Sequence, residues 1–160
     1  MEDDFVDRFE ELYGVAYRAA YGVLGNRHEA EECAQESLAR LLTRWPRVNT
    51  YAAPWVARVS INLAIDRVRA DQRAARLRPS EPAERSETDL SDRRRDLAAA
   101  LVALPRRQRE AIVLRYLVDL SERETAGAMG CTVGTVKSTV SRGLDHLRTE
   151  LGGTWIWDEA

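Results

Sequence analysis

The residues with the clearest chemical meaning lie between positions 121 and 148, where small polar and basic side chains share one face of a predicted helix. That face carries Thr132, Gly134, Thr135, Lys137, Ser138, Ser141 and Arg142. Small residues at a helix start let the backbone approach a phosphate or a base edge, and Lys and Arg add positive charge. The chemistry indicated is non-covalent binding of DNA. The alternative is an ordinary solvated helix in a helical hairpin.

Two adjacent capping signals predict the pair of helices that positions this face. Ser121 followed by Glu124 is a capping box, which marks the start of a helix. Gly130 favours the left-handed backbone that ends a helix, and Thr132 is suited to cap the next one. The second helix then has a stripe of apolar residues at steps of three and four, namely Val133, Val136, Val140, Leu144, Leu147 and Leu151. The pattern predicts a helix-turn-helix.

Length and composition narrow the class of protein. The chain has 160 residues, of which 44% are hydrophobic, as in globular proteins. It has no run of eighteen apolar residues, and its N-terminus is acidic, so we expect neither a membrane span nor a signal peptide but a cytoplasmic protein. Cys33 and Cys131 are far apart in the sequence, which favours free thiols over a disulfide. We expect no metal site and no cofactor.

The charges are unevenly distributed along the chain. The net charge is −2 and the isoelectric point is near 5.8, which predicts weak affinity of the isolated protein for DNA. Residues 58–78 nevertheless contain six Arg, whereas residues 29–36 contain four Glu. One surface therefore suits nucleic acid and another suits a basic partner.

Helical spacing of Val, Ile and Leu predicts an all-α protein with two small helical domains joined by a flexible linker. The segment 73–93 contains Pro79, Pro82 and many charged residues, which is typical of a linker. The predicted organisation is therefore a first domain over 1–72, the linker over 73–93, a second domain over 94–151 and a tail over 152–160.

Three helices are expected in the first domain. The first has an inner face of Phe5, Phe9, Leu12, Ala16, Ala19 and Val23. It should end at Gly25, with Asn26 capping the second helix. That second helix should stop at Pro46, followed by a loop over 47–53. Pro54 then suits the first turn of the third helix.

Three segments together resemble the sigma-70 class of bacterial sigma factors, specifically the short extracytoplasmic-function (ECF) group. They are HEAEECAQESLARLLTRW, PWVARVSINLAIDRVRADQR and SERETAGAMGCTVGTVKSTVSRGLDHLR. The resemblance implies sigma domain two at the N-terminus and sigma domain four, with the helix-turn-helix, at the C-terminus. It further implies a transcription initiation factor without covalent chemistry. Such a factor binds core RNA polymerase through the clamp of the largest subunit and the flap, binds promoter DNA, and often has an anti-sigma partner.

The resemblance also assigns roles to individual residues. Contacts to the polymerase clamp fall on Glu32, Gln35 and Glu36, for which a solvated acidic face is the alternative. Contacts to the minus-ten element fall on Asn49, Thr50, Tyr51, Arg58, Asn62, Asp66 and Arg69. Contacts to the minus-thirty-five element fall on the seven residues of the helix-turn-helix face named above. Thr139 and Ile61 depart from the family pattern, since many relatives have Arg at both positions.

Several alternatives remain open at this point. The acidic linker, with Glu81, Glu84, Glu87, Asp89 and Asp92, is either an RNA mimic in the polymerase cleft or a plain tether. Trp45 and Trp55 either stack on bases or belong to the core. The tail residues Trp155, Ile156 and Trp157 either fold back on domain four or bind a regulator. For the whole protein, the main rival is a stand-alone helix-turn-helix regulator, ahead of an enzyme using His28, His146 or a cysteine.

Overall fold

A computed structural model describes residues 2–78 and 89–152, which form seven α-helices and contain no strand. The helices are α1 (Glu2–Leu24), α2 (Arg27–Val48), α3 (Ala52–Leu77), α4 (Asp89–Ala103), α5 (Arg106–Ile112), α6 (Glu122–Met129) and α7 (Val133–Leu151). A short 3-10 turn over Asn49–Tyr51 follows α2, and a π-helical turn over Val113–Leu117 continues α5. The expected all-α fold class is confirmed.

The N-terminal bundle consists of α1, α2 and α3, which pack against one another along their lengths. Its core is built from the inner faces of these helices, and the side chains of Leu12, Leu41 and Ile61 are fully buried. Each such burial contributes roughly 1.5–3 kcal/mol relative to exposure. The three helices therefore form a stable support for the polar residues on their outer faces.

The junctions of this bundle are only partly as predicted. Gly25 has a left-handed φ of 63°, and the side chain of Asn26 accepts a 3.0 Å hydrogen bond from the N–H of Glu29, as expected. The predicted stop at Pro46 is wrong, because α2 continues through this proline to Val48. A proline removes a single N–H, and in the last turn of a helix that loss does not prevent two further helical residues. Instead of the expected loop over 47–53, only the 3-10 turn over Asn49–Tyr51 separates α2 from α3.

Two predicted core residues lie on the surface instead. Phe9 is 43% exposed, and it begins a ladder of stacked rings formed with Tyr13, Tyr17 and Tyr21. Ring centroids in this ladder are 6.2, 6.4 and 5.6 Å apart. Val133 is 37% exposed, because it is the first residue of α7 and precedes the turns that pack inward. Helical periodicity fits both residues, but it does not locate the edge of the buried stripe.

The C-terminal bundle consists of α4 to α7 and the π-helical turn. The buried guanidinium of Arg109 donates from Nη1 to the carbonyl oxygens of Leu101, Val102 and Leu104 at 3.3, 3.2 and 3.3 Å. These carbonyls lie at the C-terminal end of α4, where a helix leaves acceptors without intrahelical partners. Arg109 thereby joins the end of α4 to α5.

The helix-turn-helix is confirmed together with its capping signals. The N–H of Ser121 donates to the Glu124 carboxylate at 2.8 Å, and the N–H of Glu124 donates to the Ser121 hydroxyl at 3.2 Å. Gly130 has a φ of 62°, and the Thr132 hydroxyl accepts from the N–H of Thr135 at 3.1 Å. Each signal is local in sequence, and each fixes one end of α6 or α7.

The boundaries between helices differ from the expected linker. α3 extends to Leu77 and α4 begins at Asp89, so both ends of the segment 73–93 are helical rather than irregular. The acidic residues Glu81, Glu84 and Glu87, and the tail residues Trp155, Ile156 and Trp157, lie outside the described residues. Cys33 and Cys131 are free thiols, as expected, and burial raises the pKa of Cys33.

Buried side chains form one cluster that continues from the N-terminal bundle into the C-terminal bundle. α1 and α3 both pack against α4 and the π-helical turn, and α3 also contacts α6. The two bundles therefore meet along one side of α1 and α3.

Removing the capping box should weaken the helix-turn-helix. We expect Ser121→Ala to lower the free energy of unfolding by about 1 kcal/mol, because an N–H at the start of α6 loses its acceptor. Urea denaturation followed by circular dichroism measures this change. Ser141→Ala is the matched control, since Ser141 is an exposed residue within α7 and should change stability by less than about 0.5 kcal/mol. Equal effects of the two substitutions would contradict the role of the cap.

Candidate nucleic-acid interface

The seven residues predicted from the helix-turn-helix, six of them polar and one a glycine, lie together at the surface. Thr132 precedes α7, and the remaining six follow on the side of α7 opposite the buried residues Val136 and Leu147. All seven residues are exposed: Thr132, Gly134, Thr135, Lys137, Ser138, Ser141 and Arg142. The structure thus brings the whole predicted set onto one accessible face.

Hydrogen bonds within this face fix several of its side chains. The hydroxyl of Thr132 caps α7 and lies 2.9 Å from the hydroxyl of Thr135. Arg142 donates from Nε to the carbonyl oxygen of Ser138 at 3.2 Å, and the Ser138 hydroxyl donates to the carbonyl oxygen of Thr135 at 3.1 Å. The face is therefore partly pre-organised, and Thr132 has a structural role in addition to the expected contact.

Packing within the protein does not require the glycine at the start of α7. A Cβ added to Gly134 would have the Thr132 hydroxyl at 3.8 Å as its nearest neighbour, an ordinary contact distance. Glycine is a poor helix former, so its presence here costs about 1 kcal/mol relative to alanine. Because Gly134 has no side chain, the backbone at the start of the helix is left uncovered.

The ammonium group of Lys137 lies near an acidic residue of the preceding helix. Its Nζ is 3.6 Å from Oε2 of Glu122, at the start of α6. Both side chains are well exposed, so this ion pair is weak. Glu122 was not among the predicted site residues, and its proximity depends on how α6 packs on α7.

The acidic residues predicted on α2 form a second exposed face. Glu32, Gln35 and Glu36 are all exposed, and their spacing places them on one side of the helix. Glu36 accepts from Nε of Arg40 at 2.8 Å, and Glu32 accepts from Nη1 of Arg67 at 2.7 Å. Arg67 comes from α3, so sequence spacing alone did not associate it with this face.

The bond from Arg67 changes the acidity of Glu32. Hydrogen bonding to the Arg67 guanidinium lowers the pKa of Glu32, and the same bond raises the pKa of Arg67. Glu32 therefore keeps its negative charge to a lower pH than an isolated glutamate.

The residues predicted for the minus-ten element fall in two places. Asn49, Thr50 and Tyr51 form the 3-10 turn between α2 and α3, where Thr50 and Tyr51 are exposed and Asn49 is half-buried. The carbonyl oxygen of Asn49 accepts a 2.8 Å bond from Nη1 of Arg8. This bond ties the turn to α1 and was not anticipated from the sequence.

The other four residues form a stripe along α3. Asp66 and Arg69 are exposed and lie 4.0 Å apart, and Asn62 is half-buried. Arg58 is half-buried and points toward the C-terminal bundle, where its Nη1 donates to the carbonyl oxygen of Ala128 at 3.0 Å. Asn62, Asp66 and Arg69 therefore reach the surface, whereas Arg58 is bonded to the C-terminal bundle.

Trp45 belongs to the core, which decides between the two interpretations of this residue. Its side chain is 3% exposed and packs edge-to-face on Phe5 at 5.1 Å. The guanidinium of Arg8 lies 5.7 Å from the ring centroid. Trp55 is half-buried and packs against the same core.

Two family models match the chain, sigma-70 region 2 over residues 8–74 and sigma-70 region 4 over residues 94–147. The chain is 33% identical to the RNA polymerase sigma-E factor of Streptomyces coelicolor, over 84% of this chain and 78% of the relative. It is 29% identical to the ECF RNA polymerase sigma factor SigW of Bacillus subtilis, over 94% of this chain and 90% of the relative. The chain belongs to the ECF sigma factors of the sigma-70 family.

A solved structure shares the fold of this ECF sigma factor. It is the co-crystal structure of the sigma factor RpoE with the anti-sigma factor NepR from Bartonella quintana, with a TM-score of 0.59 and 23% sequence identity. The match covers 95% of this chain and 99% of the other. As a sigma factor, this protein is a transcription initiation factor that directs RNA polymerase to promoters.

The described residues include no group of three or more His, Cys, Asp or Glu side chains arranged to hold a metal ion. Among the same residues, no helix is long and apolar enough to cross a membrane.

The Arg67 bond predicts how Glu32 titrates in this sigma factor. Because a lowered folded-state pKa stabilises the fold above the unfolded pKa, this contribution should disappear as the pH falls through the folded value. Arg67→Gln should raise the pKa of Glu32, measured by carboxyl carbon NMR. Arg40→Gln, which removes the partner of Glu36, is the control and should leave the pKa of Glu32 unchanged. An unchanged Glu32 titration in Arg67→Gln would show that the bond is absent in solution.

Proposed function

We propose that the sigma factor divides promoter recognition and polymerase binding between its two helical domains. Residues 1–72 act as sigma domain two, residues 94–151 as sigma domain four, and residues 73–93 connect them, with 152–160 as a tail. The single observation that carries this proposal is the exposed face of α7, on which all seven predicted residues lie together within the region that matches sigma-70 region 4.

The α7 face would enter the major groove of the minus-thirty-five element. Gly134 leaves room for the backbone at the start of the helix, where such helices read base edges. Lys137 and Arg142 supply the charge, and Thr135, Ser138 and Ser141 supply hydroxyl groups for phosphates or bases. Thr132 would keep its capping role and hold the first turn in place.

The acidic face of α2 would bind the clamp of the largest polymerase subunit. Glu32 and Glu36 are exposed acidic residues, so they complement a basic coiled coil and orient the factor on it. Domain four would contact the flap. Glu32 is already paired with Arg67. A basic group of the clamp would therefore either displace Arg67 or join this ion pair.

The 3-10 turn and the α3 stripe would recognise and help open the minus-ten element. Extruding a base costs a few kcal/mol, and Asn49, Thr50 and Tyr51 would offset this by hydrogen bonding and stacking. Tyr51 is exposed and is the last residue of the 3-10 turn, directly before α3. Arg58, Asn62, Asp66 and Arg69 would contact the flanking strand from α3.

The net charge of −2 supports a role that depends on polymerase. Affinity for DNA comes largely from neutralising phosphates, so a slightly acidic protein binds promoters weakly alone. We propose accordingly that this factor acts in the cytoplasm on the polymerase, performs no covalent catalysis and uses no cofactor. An anti-sigma partner is part of the proposal because a solved relative was crystallised with one.

Charge reversal on α2 should abolish polymerase binding. The factor should co-elute with core RNA polymerase, and Glu32→Lys together with Glu36→Lys should prevent this because the acidic face then repels a basic clamp. Asp7→Lys with Glu10→Lys on α1 makes the same change in net charge at exposed positions and should retain binding. If the unaltered factor fails to bind polymerase but shifts specific duplex DNA alone, it acts instead as a stand-alone regulator.

Substitutions on α7 should weaken use of the minus-thirty-five element. Lys137→Ala or Arg142→Ala should cost about 1–3 kcal/mol in promoter binding by the holoenzyme if the contact is to a base. Binding should be compared on a promoter with its native element and on one with that element scrambled. A loss confined to the native promoter identifies a base contact, whereas equal losses on both identify a phosphate contact. No loss on either promoter would contradict the proposed face.

A further inference from the structure

One side chain of α1 reaches the turn that is proposed to read the minus-ten element. Arg8 donates from Nη1 to the carbonyl oxygen of Asn49 at 2.8 Å, across 41 positions of sequence. Asn49 also donates its own N–H to the carbonyl oxygen of Trp45, in the last turn of α2. Both backbone polar groups of Asn49 are therefore bonded, one within α2 and the other to α1.

The chain around this turn has few restraints of its own. Pro46 lies inside the last turn of α2 and has no N–H, so one helical hydrogen bond is missing there. Carbonyl groups at the end of a helix also lack partners within the helix. Tyr51, the residue before α3, makes no capping bond with its side chain in the part of the chain that the structure describes. The bond from Arg8 therefore adds a restraint that the local sequence does not supply.

The guanidinium of Arg8 is itself held in place by an aromatic ring. It lies 5.7 Å from the ring centroid of Trp45, close enough for a cation–π interaction. Trp45 is buried and packs edge-to-face on Phe5 at 5.1 Å. Glu11 is 3.8 Å from Nε of Arg8, but its side chain is 61% exposed, so this ion pair is weak. The buried ring and the Asn49 carbonyl therefore define where the guanidinium lies.

The turn is anchored at both ends and open between them. Val48 and Ala52 are buried on either side of it, whereas Thr50 and Tyr51 are exposed. An exposed segment that is ordered before DNA binds has less conformational entropy to lose on binding. The bond from Arg8 restrains Asn49, the first residue of this segment, and so reduces that entropy loss.

We propose that Arg8 is a positioning residue for recognition of the minus-ten element. It holds the peptide of Asn49 so that the side chains of the turn meet an extruded base in one arrangement. Its guanidinium acts through this peptide and does not contact DNA. This inference rests on the proposed role of the turn in reading the minus-ten element.

The test compares holoenzymes that differ at position 8 in their binding of the minus-ten element. The probe is a labelled single-stranded oligonucleotide with the non-template strand of a promoter found by mapping transcript starts, carrying a native or a scrambled element. Arg8→Gln should weaken binding of the native oligonucleotide roughly tenfold, the cost of ordering one or two side chains, and change binding of the scrambled one much less. Arg18→Gln is the matched control, because it removes the same charge from an exposed position of α1 and should keep the preference for the native element.

The salt dependence of binding separates positioning from direct contact. The slope of log affinity against log salt concentration should be the same for Arg8→Gln as for the unaltered protein. A slope smaller by about 0.7, the value of one phosphate contact on a single strand, would show that Arg8 contacts DNA and would overturn the proposal.

A general loss of structure is distinguished by the activities that do not use the turn. Arg8→Gln should retain binding of core polymerase and the preference for a native minus-thirty-five element. If it does not bind core polymerase, Arg8→Lys takes its place, because lysine keeps the charge and one donor and should give a smaller loss on the native oligonucleotide. An unchanged preference for the native minus-ten element in the variant that binds polymerase overturns the proposal.

A second substitution shows whether Arg8 acts through the turn. Arg8→Gln should cost much less than tenfold in a protein that already carries Tyr51→Ala, and fully additive losses would overturn the proposal. If Tyr51→Ala reduces the preference for the native element but Arg8→Gln does not, this inference falls and the proposed function stands. If the unaltered holoenzyme has no such preference, the proposed role of the turn falls, and this inference falls with it.

Discussion

A carboxylate removed from water governs how the two halves of this sigma factor meet. Glu110 lies inside the C-terminal bundle, yet one of the cations that compensate it, Arg58, belongs to the N-terminal bundle. Because an uncompensated buried charge costs several kcal/mol, α3 is held where it can supply that cation. The bond from Arg58 to Ala128 and the contact between Gly22 and Leu117 are formed in the same arrangement.

The helix-turn-helix was predictable because its determinants are local. A capping box, a left-handed glycine and a threonine cap each act over three or four residues, so the sequence from Ser121 to Thr135 specifies both ends of α6 and the start of α7 without reference to the rest of the chain. The seven candidate DNA-binding residues then follow from the helical period. Their exposure in the structure agrees with that derivation.

The structure differs from the sequence-based expectation for two reasons: contacts that sequence spacing does not show, and the behaviour of a proline in the last turn of a helix. Periodicity placed Phe9 in the core, but the breadth of a buried stripe depends on neighbouring helices, and Phe9 stacks instead along the surface of α1. The proline rule ended α2 too early because it describes helix interiors and not final turns. The pairing of Arg67 with Glu32 joins residues 35 positions apart, and that of Arg58 with Ala128 joins residues 70 apart.

Family resemblance and physical reasoning contributed different parts of the result. Physical reasoning identified a DNA-binding face and an acidic face, and the resemblance connected them as parts of a transcription factor. Neither indicated that a candidate DNA-contacting arginine is already bonded within the protein. The bond from Arg58 to Ala128 exists only because α3 packs against the C-terminal bundle.

Gly22 has a further consequence for the local stability of α1. Glycine weakens a helix by up to about 1 kcal/mol relative to alanine, and this one lies only two residues before α1 ends at Leu24. While Leu117 packs over it, the last turn is protected from solvent by the other bundle. A larger residue at position 22 would displace Leu117 and leave the same turn as a weak, uncovered helix end. Fraying of α1, visible as faster amide hydrogen exchange, is the expected consequence.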